Sequence, residues 1–252
     1  MIAGLVVGVA LVAACGSSRS ASSAAAPSGA IGPPSASGTV AGGQSADVAA
    51  FMRGVARDVD GFWASAFSSA GRAYPKAKLF ILKPGQRVRP ACLDEDFTGT
   101  TENAFWCAAA LKPGPAAKPG VYLNTGWLGD AVYKRYGEFA VAYVIAHEYG
   151  HHVEWLLGLF TKKVRGELFQ IHLEMMADCL AGIWARSAFS RGLLDDTKVE
   201  QVIKLADLFG DTPGVSRDDP GAHGRSGIRT AWFLNGYRGD GSVADCRTYP
   251  EG

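Results

Sequence analysis

The chain has 252 residues, which is enough for one sizeable domain or at most two, and its hydrophobic content of 48% permits a substantial core. Its formal net charge is +1, and no block of lysine and arginine or stripe of basic and aromatic residues stands out. The composition therefore excludes the electrostatic pattern of a nucleic-acid-binding protein, and we expect no nucleic-acid partner.

The N-terminal residues have the features of an export signal. The apolar run IAGLVVGVALVAAC is too short to span a bilayer as a helix and ends in small residues, as signal peptides do. Its last four residues, VAAC, resemble a bacterial lipobox, in which the cysteine receives the lipid, although no Lys or Arg precedes the run. We therefore predict a lipoprotein signal peptide over residues 1–15, lipidation of Cys15, and a lipid-anchored domain at the extracytoplasmic face of a bacterial membrane. The alternative is a plain cleaved signal peptide.

Residues 16–44 are almost all Ser, Ala, Gly and Pro. Such a segment cannot bury enough apolar surface to fold, so we predict a disordered tether. A flexible chain of this length would hold the following domain roughly 30 Å from the membrane. The folded domain is then expected over residues 45–252.

Four cysteines follow the tether: Cys92, Cys107, Cys179 and Cys246. An even number in an exported chain indicates disulfides, and three pairings are possible. Cys92 with Cys107 and Cys179 with Cys246 is the most economical pairing, because the first pair then brackets one loop. A zinc site built from cysteines is disfavoured, because no CxxC motif occurs.

The first half of the domain combines a helix and a small sheet. Apolar residues recur at helical spacing over residues 45–70 and predict one amphipathic helix. Short apolar runs at 79–82, 104–110 and 120–124, broken by Pro and Gly, predict a small sheet with a loop between the first two cysteines.

The second half is predicted to be mainly helical. A long apolar stretch without proline predicts a helix over 137–159 that ends near Gly158. Two further helices are predicted over 166–190 and 196–209, and the apolar run TAWFLNGY at 230–237 is expected to return to the core. We therefore expect a single α+β domain that is mainly helical.

The central long helix contains the sequence AHEYGHHVEW at residues 146–155. His147 and His151 are four residues apart, so their side chains point the same way, one turn apart, and both can reach one metal ion. Glu148 lies beside them, where its carboxylate can take a proton from water activated by the metal. His152 is rotated about 100° from His151 and faces elsewhere. The alternative is a pair of core histidines satisfied by carboxylates.

A zinc hydrolase needs a third protein ligand and one open position. The metzincin pattern would require glycine at position 154 and histidine at position 157, but the sequence has Glu154 and Leu157 there. That subclass is excluded, and the third ligand must come from another element.

Glu174 and Asp178 are four residues apart on the next predicted helix and share one of its faces. The arrangement Glu-x-x-x-Asp one helix after HExxH is similar to the thermolysin-like gluzincins. The resemblance implies that Glu174 is the third zinc ligand and that Asp178 orients His147 through its free ring nitrogen. Two alternatives stay open: Asp178 as the ligand with Glu174 in support, and His172 as the ligand.

Four segments in chain order resemble the bacterial putative neutral zinc metallopeptidase family: VIAHEYGHHVEWLLG, EMMADCLAGIWA, AHGRSGIRTAWFLNGY and DCRTY. The family usually has Leu-Gln at or near Met175-Met176, a departure that touches neither carboxylate. The resemblance implies a zinc peptidase with Zn²⁺ as its cofactor and a peptide or protein substrate.

The glycine-rich stretch DPGAHGRSG at 219–227 contains His223. In gluzincins a His or Tyr late in the chain donates to the oxyanion of the tetrahedral intermediate, and the resemblance makes His223 a candidate for that role. The alternative is an ordinary loop histidine. Arg225 and Arg229 are weak candidates for binding a peptide carboxylate, whereas Tyr143 and Tyr149 are expected to pack.

The sequence therefore predicts a lipid-anchored, extracytoplasmic zinc metallopeptidase in which zinc-activated water attacks a peptide bond and Glu148 is the general base. One alternative is a metal-binding lipoprotein without catalysis, although a purely structural site would not need Glu148. Another is a zinc amidase that acts on cell-wall peptides, which the sequence does not separate from a protease.

Overall fold

The computed structural model describes residues 45–108, 120–164, 168–193, 199, 205, 209–216, 219 and 222–247. The predicted signal peptide with Cys15 and the predicted tether lie outside the described residues. Most of the helix predicted over 196–209 also lies outside them, but Val199 and Leu205 are described, and both are buried.

The described residues form a mixed structure that is mainly helical, which confirms the α+β prediction. The α-helices are α1 Ser45–Ser69, α2 Lys134–Tyr136, α3 Glu138–Leu156, α4 Leu159–Val164, α5 Gln170–Ser190 and α6 Ser226–Arg238. A π-helix spans Gly126–Tyr133, and a 3-10 helix spans Asp245–Arg247. The strands are β1 Lys78–Leu82, β2 Arg87–Val88, β3 Phe97–Thr98, β4 Phe105–Cys107 and β5 Gly120–Asn124.

Helix α1 follows from its apolar spacing. Met52, Ala56, Val59 and Trp63 recur every three or four residues, and all four are buried. This stripe packs against α3, so α1 covers one side of the central helix. The helix predicted over 45–70 is confirmed, with its last residue at Ser69.

The predicted small sheet is also confirmed. Strand β5 is central, with β1 parallel on one side and β4 antiparallel on the other. All five residues of β5 are buried, which explains why residues 121–123 form a continuous apolar run rather than an alternating pattern. Trp106 in β4 is paired with Val121 in β5. The separate β2–β3 pair was not predicted.

Helix α3 is the centre of the domain. It ends at Leu156, and Gly158 adopts the left-handed conformation (φ +78°) that commonly follows a helix end, as the sequence indicated. Gly150 allows a close approach to α5, because a Cβ atom there would lie 2.9 Å from the Cα atom of Ala177. This approach brings the histidines of α3 near the carboxylates of α5.

Three helical features differ from the sequence prediction. Helix α5 begins at Gln170 rather than at residue 166, because Phe169 has an extended backbone that caps the helix. Helix α4 and the π-helix were not predicted. The run at 230–237 returns to the core as predicted, within α6, where Trp232 and Phe233 are buried.

Both predicted cysteine pairs are at disulfide distance. The sulfur atoms of Cys92 and Cys107 are 2.18 Å apart, and those of Cys179 and Cys246 are 2.03 Å apart. The first bridge fixes the end of β4, and the second connects α5 to the 3-10 helix. No helix in the described part of the chain is long and apolar enough to cross a membrane.

Removal of the second bridge should destabilise the protein. The bridge joins residues 67 positions apart, and both of its cysteines are buried. We expect Cys179→Ala with Cys246→Ala to lower the free energy of unfolding by about 2–4 kcal/mol, measured by urea denaturation under oxidising conditions.

The matched control is Cys92→Ala with Cys107→Ala, which opens a loop of only 15 positions and should cost less. An equal or larger loss in this control would contradict the expectation.

Candidate metal centre

An open cavity of about 560 Å³ lies where α3, α5 and β4 meet. Residues from all three elements line it, together with residues from α4, the π-helix and the segment before α6. The cavity contains the HExxH face of α3, so the motif is accessible to a ligand rather than enclosed in the core.

Two histidines and one glutamate form a group that could hold a metal ion. His147 and His151 are one turn apart on α3, with ring centroids 4.7 Å from each other. The Glu174 carboxylate on α5 lies 3.2 Å from Nε2 of His147 and 3.6 Å from Nε2 of His151. The possible ligand atoms of the three residues lie within 4.8 Å of one another.

The outer nitrogens of both rings are held by carboxylates. Nδ1 of His147 lies 2.8 Å from Oδ1 of Asp178, and Nδ1 of His151 lies 2.9 Å from Oε2 of Glu154. A carboxylate on Nδ1 fixes the tautomer that leaves Nε2 free to ligate. Two imidazoles and one carboxylate in an open cavity are a donor set that suits zinc, so the residues fit this metal.

The charges of this group complement one another. Burial acts to raise the pKa of Glu174, but His151 and His147 hold that pKa well below its usual range. Burial acts to lower the pKa of His147, but Asp178 and Glu174 raise it to about 10. The ionised Glu174 carboxylate therefore favours a positive charge close to the imidazole rings of His147 and His151.

Glu148 has a different environment from Glu174. Burial raises its pKa to about 8, with a further contribution from Glu174, while His147 and a hydrogen bond from the Trp106 backbone act to lower it. A carboxyl whose pKa lies close to neutral pH can both accept and return a proton. The backbone N–H of Trp106 in β4 therefore orients the Glu148 carboxylate, a contact that the sequence did not reveal.

Asp178 is fully buried and has three partners. Arg229 donates to it through Nε (2.8 Å) and Nη2 (2.9 Å), the hydroxyl of Tyr143 donates to Oδ1, and His147 is the third partner. Burial acts to raise the pKa of Asp178, but Arg229 and His147 lower it to about 2.

The structure corrects two interpretations drawn from the sequence. Arg229 was a weak candidate for binding a peptide carboxylate, but it is 3% exposed and its guanidinium is bonded to Asp178. Tyr143 was expected only to pack, but its hydroxyl also donates to Asp178. The available sequence signal was spacing: Arg229 lies three and four residues before Trp232 and Phe233, so it shares the apolar face of α6.

Glu154 is another residue whose role the sequence analysis missed. It was considered only as the residue that breaks the metzincin pattern, yet its side chain is fully buried against His151. Burial raises its pKa to about 7, against the attraction of His151. Its position three residues after His151 was the available signal, because such pairs meet on a helix surface.

The remaining predicted histidines lie outside the three-residue group. His223 lines the cavity with an exposed side chain, and the N–H groups of His223 and Gly224 donate to Asp211. His152 points away from the cavity, with Nε2 2.7 Å from the carbonyl oxygen of Pro75. His172 caps the start of α5, where Nδ1 accepts from the N–H of Phe169 at 3.4 Å.

A family model described as "Putative neutral zinc metallopeptidase" matches residues 1–249 of the chain. The chain is 28% identical over 221 residues to "Uncharacterized protein YpfJ" of Escherichia coli K12, covering 81% of this chain and 72% of that protein. It is 35% identical over 130 residues to "Uncharacterized protein Rv2575" of Mycobacterium tuberculosis H37Rv, covering 43% of this chain and 44% of that one. No solved structure matches it.

The two carboxylates of α5 can be distinguished by metal binding. Because Glu174 faces both Nε2 atoms while Asp178 contacts Nδ1, we expect Glu174→Ala to lose zinc. Asp178→Asn should weaken zinc binding roughly 10–100-fold without abolishing it. Zinc content by mass spectrometry and a chelator competition would measure both effects. Loss of zinc from Asp178→Asn with retention in Glu174→Ala would reverse the assignment.

Arg229 should be important for stability. Substitution Arg229→Met removes the cation that compensates the buried Asp178 carboxylate, so we expect the free energy of unfolding to fall by about 3–5 kcal/mol. Arg225→Met is the matched control, because Arg225 is an exposed arginine at the start of the same helix and should change stability by no more than about 0.5 kcal/mol. Equal losses in the two variants, measured by denaturant titration, would contradict this role.

Proposed function

The chain belongs to the putative neutral zinc metallopeptidase family, as its sequence motifs indicated, and from this premise we propose that it is a zinc-dependent peptidase. We propose that His147, His151 and Glu174 hold the zinc ion. The observation that carries the proposal is the buried Glu148 carboxylate, which lies beside a group of three ligands in an open cavity.

The arrangement favours a catalytic over a structural metal. Structural zinc sites usually have four protein ligands and are closed, whereas catalytic sites have three and keep a position open. Here the three candidate ligands line a cavity that can admit a substrate. A metal-binding lipoprotein without catalysis would need neither the cavity nor a general base.

Zinc held by this set would supply a Lewis acid that polarises a peptide carbonyl and lowers the pKa of water to about 7. Glu148 accepts the proton of the attacking water and then delivers it to the nitrogen of the leaving amine. Burial of Glu148 favours holding the proton, while His147 and the Trp106 hydrogen bond favour the ionised form that accepts it, as these opposite effects on its pKa show. The hydrogen bond from the Trp106 backbone orients the Glu148 carboxylate for both proton transfers.

His223 is the proposed donor to the carbonyl oxygen as that oxygen gains negative charge. Its side chain is exposed and lines the same cavity as Glu148. Asp211 accepts hydrogen bonds from the backbone of His223 and Gly224, which anchors the segment that carries the imidazole. Asp178 and Glu154 orient the two histidine rings and do not contact the substrate.

We also propose that the protein is exported and lipid-anchored through Cys15, with residues 16–44 as the tether. The lipobox-like sequence supports the anchor, and the two disulfides in the domain support an oxidising location. The proposed substrates are therefore peptides or proteins on the extracytoplasmic side of the membrane.

Substitution of Glu148 provides the direct test. The full chain with Glu148→Gln should retain zinc but cleave peptides roughly 100-fold to 10,000-fold more slowly than the wild type, because only the proton acceptor is lost. Zinc content and the release of fluorescence from quenched peptides would be measured in parallel.

Glu95→Gln is the control, because Glu95 is an exposed carboxylate that does not line the cavity. The peptidase activity of this variant should equal that of the wild type. A wild type without zinc, or equal cleavage by the wild type and Glu148→Gln, would overturn the proposal.

A further inference from the structure

We propose that the cavity selects peptides with large apolar side chains near the scissile bond and disfavours peptides with acidic side chains there. This inference rests on the proposed peptidase function and specifies its substrate class. Two pairs of aromatic rings and the charges of the cavity wall carry it.

The first aromatic pair consists of Trp106 in β4 and Phe160 in α4. Their ring centroids are 5.1 Å apart, both side chains line the cavity, and both are only partly buried. The Phe160 ring centroid lies 6.4 Å from that of His151, so this pair is adjacent to the metal group. An apolar substrate side chain placed here would remove the exposed faces of both rings from water.

The second aromatic pair consists of Trp127 in the π-helix and Phe209. Their centroids are 5.7 Å apart in an edge-to-face arrangement, and both also line the cavity while remaining partly exposed. The carbonyl oxygen of Phe209 accepts a hydrogen bond from Arg229, which in turn binds the Asp178 carboxylate behind His147.

The first pair therefore lies beside His151, whereas the second lines the same cavity and is connected to His147 only through the Phe209 carbonyl, Arg229 and Asp178. A peptide whose scissile bond lies at the metal group can present one side chain to each pair. Substrate residues at two positions, rather than at one, should thus contribute to selectivity.

The charges of the cavity oppose an acidic side chain. The lining within the described ranges contains no lysine, and its one arginine, Arg229, is bonded to Asp178 and to the carbonyl oxygen of Phe209. The exposed carboxylate of Glu102 also lines the cavity. At either aromatic pair, an acidic substrate side chain would lose water and share the cavity with the like charge of Glu102. The described lining offers it no unpaired lysine or arginine, so its binding there is disfavoured.

The experiment uses labelled peptides of one length with Phe, Ala, Lys or Asp at the positions flanking the central bond. Binding to zinc-loaded full-length Glu148→Gln is measured by fluorescence anisotropy, and cleavage is measured with the wild type. We expect Phe to improve affinity over Ala by roughly tenfold to 100-fold, and Asp to bind more weakly than Ala.

Two variants assign the selectivity to the rings. In the Glu148→Gln background, Phe160→Ala and Trp127→Ala should each reduce the preference for Phe over Ala roughly tenfold, at different peptide positions. Phe189→Ala is the matched control. Phe189 is 41% exposed on α5, does not line the cavity, and should leave the preference unchanged.

The outcomes separate this inference from the proposed function. Selective binding of Phe peptides without cleavage by the wild type would overturn the peptidase proposal and retain the binding preference. Cleavage without preference, a preference for Asp, or an equal effect of Phe189→Ala would overturn the inference and retain the peptidase. Absence of both cleavage and preference would overturn both.

Discussion

The buried Asp178 carboxylate is the interaction on which the site depends. A buried charge is costly unless it is paired and hydrogen-bonded, and Asp178 of α5 obtains its partners from two other helices: His147 and Tyr143 of α3, and Arg229 of α6. These hydrogen bonds to Asp178 therefore hold α3, α5 and α6 in fixed positions relative to one another. The same carboxylate orients His147 through Nδ1, so the stability of the core and the geometry of the metal group have a common origin.

Backbone packing makes this network possible. The glycine at position 150 lets α3 approach α5 closely enough for Glu174 to lie between the Nε2 atoms of His147 and His151. The sheet then contributes from outside the helices, because the N–H of Trp106 in β4 hydrogen-bonds the Glu148 carboxylate. The Cys92–Cys107 bridge restrains the strand that makes this contact. The helices supply the chemical groups, and the sheet orients one of them.

The sequence was most informative about which side chains share one face of a helix. Helical spacing predicted that His147 and His151 share a face and that Glu174 and Asp178 do so on the next helix, and the structure brings these faces together. Arg229 was misinterpreted because its partner, Asp178, is distant in sequence. Its spacing from Trp232 and Phe233 indicates that it faces the core but does not identify that partner. The extended backbone of Phe169, which begins α5, and the Trp106 contact are likewise tertiary features that periodicity does not encode.

Two glutamates in one cavity show how contacts determine the roles of identical side chains. Burial acts to raise the pKa of both Glu148 and Glu174, but the net shift is upward only for Glu148. Glu174 faces both imidazoles, and their attraction exceeds the effect of burial, so this carboxylate stays ionised and suits a metal ligand. For Glu148, the attraction of His147 and the Trp106 hydrogen bond only partly offset the effect of burial. Its pKa is raised to about 8, so this carboxyl can hold and release a proton near neutral pH. The two carboxylates differ because both imidazoles face Glu174, whereas Glu148 owes the lowering of its pKa to His147 and to the Trp106 hydrogen bond.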